Sequence, residues 1–71
     1  MAVDICTRIG RRIRALRTAR KWSQTLLADH SGLAREHISE IERGRKEVGI
    51  RTLHRISQAL EVTLSKFFEG L

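Results

Sequence analysis

Residues 23–44 read Ser-Gln-Thr-Leu-Leu-Ala-Asp-His-Ser-Gly-Leu-Ala-Arg-Glu-His-Ile-Ser-Glu-Ile-Glu-Arg-Gly. The stretch has the length of two short helices joined by a tight turn at Gly32, because glycine adopts the left-handed backbone that such a turn requires. Leu33 follows the turn and can fill the corner between the helices. The stretch predicts a helix-turn-helix motif over residues 24–43, whose second helix spans residues 34–43.

Each helix of the predicted motif has a narrow apolar face. Leu27 and Ala28 precede the turn, and Ile38 and Ile41 lie three residues apart after it, which places each pair on one side of a helix. The remaining positions of the second helix are polar and are expected to face outward: Arg35, Glu36, Ser39, Glu40 and Arg43. A polar helix face on a small apolar base is typical of proteins that read the major groove of DNA.

Apolar residues recur at helical spacing on both sides of the motif. They predict a first helix from about Asp4 to Arg20, a fourth helix to about Leu60 and a short fifth helix. The stripes are Ile5, Ile9, Ile13 and Leu16 in the first helix, Ile50, Leu53, Ile56 and Leu60 in the fourth, and Leu64, Phe67 and Phe68 in the fifth. The sequence therefore predicts an all-α fold of five helices, in a single domain over residues 1–71.

Several residues suit the ends of these helices or the core. Ser23 and Thr63 are favourable N-caps for the second and fifth helices, and Gly44 is a favourable C-terminal cap for the third. Trp22 and Phe67 are expected to pack in the core. A chain of this size buries only roughly 60% of its unfolded surface, so we expect modest stability that a dimer contact would reinforce.

The charge of the chain is strongly positive. Fourteen Lys and Arg residues face eight Asp and Glu residues, for a formal net charge of +6. Half of the basic residues lie in the first 21 positions: Arg8, Arg11, Arg12, Arg14, Arg17, Arg20 and Lys21. This asymmetry suits a polyanion, although charge alone fits a solvated helix face equally well. The helix-turn-helix pattern favours DNA.

Other classes of protein have little support. Cys6 is the only cysteine, so neither an intramolecular disulfide nor a cysteine-based zinc cluster is possible, and we expect a cytoplasmic protein. No apolar run approaches the roughly 18 residues of a membrane span. His30, His37 and His54 lack metal-ligand spacing, and no glycine-rich phosphate loop is present. We therefore expect no catalysis, no metal, no cofactor and no small-molecule ligand.

From Ile9 to Phe68 the sequence resembles the lambda-repressor-like, or Cro/XRE, helix-turn-helix family of bacterial and phage regulators. The matching pieces are Ile9–Arg17, Ser23-Gln24 with Leu27-Ala28, Gly32-Leu33, Ile38–Gly44, and Thr52-Leu53 with Ile56, Ala59-Leu60 and Val62. The short chain and the run from Ile38 to Gly44 look particularly like the controller proteins of restriction-modification systems. The resemblance implies a five-helix bundle that binds double-stranded DNA as a homodimer, with residues 34–43 in the major groove.

The sequence departs from the family pattern at three positions. Ala34 stands where a Ser or Thr usually caps the recognition helix, a change that costs about 1 kcal/mol. Val48 stands where proline is common, and Glu61 stands where glycine usually ends the fourth helix. These changes affect the ends of helices and the loop more than the fold.

Three residues are the candidates for reading bases. Arg35 can donate twice to guanine O6 and N7, a contact that discriminates by roughly 1–3 kcal/mol. Glu36 can accept from cytosine N4, or can favour the positive helix N-terminus instead. Ser39 is short, so a phosphate or thymine contact is as plausible as a hydrogen bond to a base.

Other residues are expected to contact the DNA backbone. Ser23 and Gln24 lie at the start of the second helix, where open amides attract phosphate. Arg43, Arg45 and Lys46 would add positive charge near the end of the third helix, and His37 lies at the edge of the recognition face. The family pattern adds Thr52 to this set.

The resemblance also implies an ion pair, and the end of the chain suggests a dimer contact. Arg17 and Glu42 match an arginine and a glutamate that pair between the first and third helices in relatives. Leu64, Phe68 and Leu71 are the candidate dimer interface, because helix-turn-helix dimers match two half-sites with a two-fold axis.

A second class of function remains open at this point. Small proteins with this fold also serve as antitoxins or adaptors that bind a partner protein. An RNA-binding role is weaker, because single-strand recognition usually needs exposed aromatic platforms. The sequence favours a homodimeric transcriptional regulator.

Overall fold

The computed structural model describes residues 3–71. That part of the chain contains five helices and no strand: α1 Ile5–Ala19, α2 Gln24–Ser31, α3 Arg35–Glu42, α4 Ile50–Ala59 and α5 Leu64–Phe68. The predicted all-α fold is confirmed. α1 and α3 are one residue shorter at each end than predicted, because their flanking residues act as caps. Residues 1 and 2 of the predicted domain lie outside the described residues.

Side chains cap three of the helices. The Ser23 hydroxyl accepts from the Leu26 N–H at 3.0 Å, and the Thr63 hydroxyl accepts from the Lys66 N–H at 3.0 Å, as predicted. α3 begins after Ala34 without a side-chain cap bond, so its first amides stay open.

Two glycines with left-handed backbone frame the recognition helix. Gly32 has φ 73° and turns the chain from α2 towards α3, as predicted. At the other end Arg43 is the C-cap of α3, and Gly44 follows it with φ 71°. The Gly44 N–H donates to the Ile41 carbonyl at 3.0 Å, so the glycine closes the end of α3 and makes the sharp exit, as predicted.

The core is apolar and central. Its buried residues are Ile13, Leu27, Ala28, Ile38, Ile41, Leu53, Ile56, Leu60 and Phe67. α3 packs against α1 and α2, and α2 packs against α4. Three residues of the predicted stripes are exposed instead: Ile5 by 51%, Ile50 by 67% and Phe68 by 39%. Ile5 and Ile50 are the first residues of their helices, and Phe68 is the last residue of α5.

α1 lies directly against the end of α3. A Cβ added at Gly10 would lie 2.4 Å from the carbonyl oxygen of Ile41 and 2.7 Å from that of Glu42. A Cβ at Gly44 would lie 2.8 Å from the Thr7 hydroxyl oxygen. Because real Cβ atoms do not approach so closely, only glycine permits this backbone contact. The contact helps to fix the orientation of the recognition helix.

Trp22 lies in the connection between α1 and α2. Its ring is half-buried and packs against the core, as predicted. The ring stacks on His30 with centroids 4.6 Å apart, and the Arg20 guanidinium lies 4.5 Å from the ring centroid. These contacts explain the tryptophan without a role in binding bases. No helix within residues 3–71 is both long and apolar enough to cross a membrane.

Candidate nucleic-acid interface

The outward face of α3 carries the three candidate base-reading residues. Arg35 and Glu36 are exposed in the first turn, with side-chain exposures of 51% and 79%, and Ser39 is half-buried one turn later. The Arg35 Nη2 lies 3.6 Å from Glu36 Oε1. Such an exposed pair contributes little stability, so the Arg35 guanidinium can turn towards another partner. His37 is half-buried.

The C-terminal half of the same face is a small polar network. Arg43 Nη2 donates to the Ser39 hydroxyl oxygen at 2.9 Å, and Arg43 Nε donates to the Ser39 carbonyl at 3.4 Å. Arg43 Nη2 also lies 3.4 Å from Glu40 Oε1. The Arg43 side chain therefore folds back along α3 by one turn instead of extending away from the helix.

A buried ion pair joins α1 to the end of α3. Arg17 Nε donates to Glu42 Oε2 at 2.7 Å and Arg17 Nη2 donates to Glu42 Oε1 at 2.9 Å. Arg17 Nη1 also donates to the Trp22 carbonyl at 2.7 Å. The hydrogen bonds to Glu42 raise the pKa of the Arg17 guanidinium further above its usual range. The structure thus brings together the two residues that the resemblance pairs.

The N-terminus of α2 is connected to the same ion pair. Gln24 Nε2 donates to Glu42 Oε1 at 3.1 Å. The side-chain amide that was predicted to contact phosphate is thus held by protein, which leaves the backbone amides of the first turn as the more open donors. Sequence reasoning missed this third member of the Arg17–Glu42 network, because residues 24 and 42 meet only when α2 and α3 cross.

The positive charge of α1 is used largely within the protein. Arg12 Nη1 donates to the Phe67 carbonyl at 2.7 Å, and Arg8 donates to the Leu71 carbonyl. Arg20 Nη2 binds Glu61 Oε1 at 2.8 Å. With Arg17, four of the seven basic residues predicted to suit a polyanion instead bind other parts of the chain. No sequence signal gave the partners of Arg8, Arg12 and Arg20, which lie up to 63 residues away.

The cations after α3 are in different surroundings. Arg45 and Lys46 are exposed in the loop between α3 and α4, and neither takes part in an ion pair within the described residues. Thr52 is half-buried in the first turn of α4. The loop therefore offers uncommitted positive charge beside the end of the recognition helix.

The C-terminal apolar cluster is divided between two places. Phe67 is fully buried, as predicted, whereas Phe68 is 39% exposed. Leu64 lines a shallow groove with the exposed Ile50 of α4. Leu71 lies in a different groove, against α1. Leu64 and Leu71 thus line different grooves, and the interface of Leu64, Phe68 and Leu71 stays a prediction.

Two other kinds of site, a metal centre and a reactive cysteine, have no support within residues 3–71. Within residues 3–71 no group of three or more His, Cys, Asp and Glu side chains could hold a metal ion. Desolvation raises the pKa of the Cys6 thiol, and the Asp4 carboxylate raises it further. A thiol with a raised pKa is a poor nucleophile at neutral pH.

Comparison with known proteins agrees with this geometry. A family model described as helix-turn-helix matches residues 13–67. The chain belongs to the helix-turn-helix family. Its membership in the Cro/XRE type of this family confirms the resemblance seen in the sequence.

One curated relative and two solved structures show the extent of the similarity. An uncharacterized HTH-type transcriptional regulator of Sinorhizobium fredii is 41% identical over 70 residues, which are 99% of this chain and 48% of that protein. The restriction-modification controller protein C.AhdI of Aeromonas hydrophila matches with a TM-score of 0.86 and 35% identity, over 89% of this chain and 96% of that chain.

The second structure contains DNA. The controller protein C.Esp1396I, solved as a tetramer in complex with its natural 35 base-pair operator, matches with a TM-score of 0.89 and 32% identity, over 96% of this chain and 90% of that chain. The chain spans about half the length of the first curated relative, but nearly the full length of these controller proteins.

Proposed function

We propose that this chain binds double-stranded DNA sequence-specifically and regulates transcription as a homodimer on a roughly palindromic operator. The observation that carries the proposal is the outward polar face of α3, held in place by the Gly10 contact and the Arg17–Glu42 pair. The major groove admits an α-helix, and a firmly held helix can present its side chains to base edges in one register. The operator complex of C.Esp1396I supports this proposal.

Arg35 is the proposed main base reader. It lies in the first turn of α3, it is exposed, and its fork can donate to guanine O6 and N7. Glu36, whose Oε1 lies 3.6 Å from Arg35 Nη2 in the free protein, would accept from cytosine N4 in the complex. Ser39 completes the set one turn further along the helix.

The backbone contacts come from both sides of α3. The first-turn amides of α2, with Ser23 and the second amide N–H of Gln24, whose first is held by Glu42, would meet one phosphate. Arg45 and Lys46 would meet phosphates beyond the end of α3, with Arg43, His37 and Thr52 in supporting positions. These contacts supply affinity and orientation but carry no sequence information.

The proposed dimer face lies between α4 and α5. Ile50 is 67% exposed and Phe68 is 39% exposed, and Leu64 lines a groove with Ile50. Burying such apolar area against a second copy contributes roughly 25 cal/mol per Å². Leu71 contributes at most at the edge of this face, since it packs against α1.

Sedimentation tests the dimer face. Phe68→Asp is expected to shift the protein from dimer to monomer, whereas Leu26→Asp, at an apolar residue of α2 with 36% exposure, is expected to leave the dimer intact. A dimeric Phe68→Asp protein would move the interface elsewhere.

More specifically, we propose that the chain controls restriction-modification genes in a bacterial cytoplasm, since two controller proteins share the fold over most of their length. We propose no catalytic role, because the family relatives are regulators. No observation favours the antitoxin or adaptor alternative, although weak DNA binding would restore it.

Selection of binding sites from random duplex DNA tests the proposal. The purified protein is expected to select a palindrome, and Arg35→Ala is expected to lose the preference for one base per half-site. Arg14→Ala is the matched control, because it removes an exposed arginine from α1 and is expected to keep the palindrome. Failure of the wild-type protein to enrich any sequence would reject sequence-specific regulation.

A further inference from the structure

The hydroxyl of Ser39 has a defined hydrogen-bond direction. Arg43 Nη2 lies 2.9 Å from Ser39 Oγ. A guanidinium has donors and no acceptor, so Ser39 Oγ must accept in this bond. The proton of the hydroxyl is then available for a second partner.

That proton is not used by the helix backbone. Thr18, Ser31 and Ser57 donate their hydroxyl protons to carbonyl oxygens about one turn back, which is the usual behaviour of such residues in helices. Within residues 3–71 the Ser39 hydroxyl makes no bond of this kind. Its donor is therefore free on the outward side of the recognition helix.

The position of Ser39 on α3 would bring this donor to a base edge in the major groove. Arg35, Ser39 and Arg43 are spaced by four residues, so each lies about 6 Å further along α3 and about 40° further around it. In a groove with base pairs about 3.4 Å apart, Ser39 would meet a different base pair from Arg35. Arg43 lies one helical turn after Ser39 and donates to its hydroxyl oxygen. Glu40 Oε1, 3.4 Å from Arg43 Nη2, restrains the guanidinium.

We propose that Arg43 is a positioning residue: it occupies one of the two acceptor sites of Ser39 Oγ and so biases the hydroxyl towards donating in the major groove. Ser39 then favours a base that presents an acceptor in the major groove, at guanine O6 or N7, adenine N7 or thymine O4, over cytosine, whose N4 amino group is itself a donor. The inference rests on the proposed function. It changes the expected role of Arg43, which the sequence placed on the DNA backbone.

The test measures binding to the selected operator and to operators with symmetric single-base changes. Ser39→Ala and Arg43→Lys are each expected to weaken the preference at the same one position of each half-site by about five- to tenfold, with little change elsewhere. Lysine keeps the charge but loses the forked donor geometry. The double variant is expected to be as selective as Ser39→Ala alone, because the two changes remove the same contact.

Arg14→Lys is the control, since Arg14 is an exposed arginine of α1 that has no proposed contact with DNA. It is expected to leave every base preference unchanged. If Arg43→Lys weakens all duplexes equally, or keeps the wild-type preference at the Ser39-dependent position, the positioning role is wrong while the proposed function stands. If the wild-type protein itself shows no base preference, both the proposed function and this inference fail.

Discussion

The basic residues of α1 and those that follow α3 carry the same charge in different surroundings. Arg12 and Arg17 reach carbonyl or carboxylate oxygens of distant segments, and Arg17 does so in a buried ion pair. Arg45 and Lys46 are exposed and have no ion-pair partner among the described residues. The difference shows that a cluster of arginines in a sequence can stabilise a small fold, and that the cations available to a polyanion are those left without partners.

The largest expected effect concerns the buried ion pair. Glu42→Ala leaves Arg17 buried without its partner, which costs about 3–5 kcal/mol and also frees Gln24. Thermal unfolding is expected to show a large drop in Tm before any change in base preference. Glu69→Ala is the control, because its exposed pair with Lys66 contributes about 0–1 kcal/mol. An unchanged Tm for Glu42→Ala would mean that α1 does not hold α3 through this pair.

The backbone contact between α1 and α3 is the next test. Gly10→Ala places a Cβ against two carbonyl oxygens of α3, and overpacking of this kind costs about 1–3 kcal/mol. Gly49→Ala is the control, since a Cβ there meets nothing within 4 Å. Denaturant unfolding that gave equal stability to both variants would contradict the close approach.

The difference between the basic residues of α1 and those after α3 predicts two smaller effects, one on stability and one on the salt dependence of DNA binding. Arg12→Ala loses the bond to the Phe67 carbonyl and is expected to cost about 1 kcal/mol of stability without changing the salt dependence of DNA binding. Arg45→Ala is expected to leave Tm unchanged and to reduce the salt slope of binding by about 1. A salt slope that changed for Arg12→Ala and not for Arg45→Ala would reverse the comparison.

The smallest effect concerns backbone strain beside Arg20. Lys21 has φ 60°, a left-handed conformation that costs a non-glycine residue about 1–2 kcal/mol. Lys21→Gly is expected to raise Tm by a few degrees at most, since glycine adopts this backbone without the Cβ penalty but loses about 0.5–1 kcal/mol in backbone entropy on folding. Glu61→Gly, at φ 58°, is expected to gain less because it also loses the pair with Arg20. A lower Tm for Lys21→Gly would refute the strain.

Local sequence patterns predicted most of the helices, but they did not predict the features that depend on contacts between distant residues. The bounds of α2, the Ser23 cap and the Gly32 turn followed from residues close together in sequence. The exposure of Ile50 and the bonds from Arg8 and Arg12 to the chain end depend on how distant helices meet, which periodicity does not specify. The base-reading roles of Arg35, Glu36 and Ser39 remain predictions, although all three are placed on α3.

The most direct test of sequence-specific recognition is a titration of the wild-type protein with its selected duplex and with a scrambled duplex at several salt concentrations. The selected duplex is expected to bind about 10³-fold tighter or more, and the difference is expected to persist as salt rises, because base contacts from α3 discriminate while phosphate contacts do not. Weak and equal binding to both duplexes, with the same steep loss at high salt, would show that the charge binds phosphate alone and would contradict sequence-specific recognition by α3.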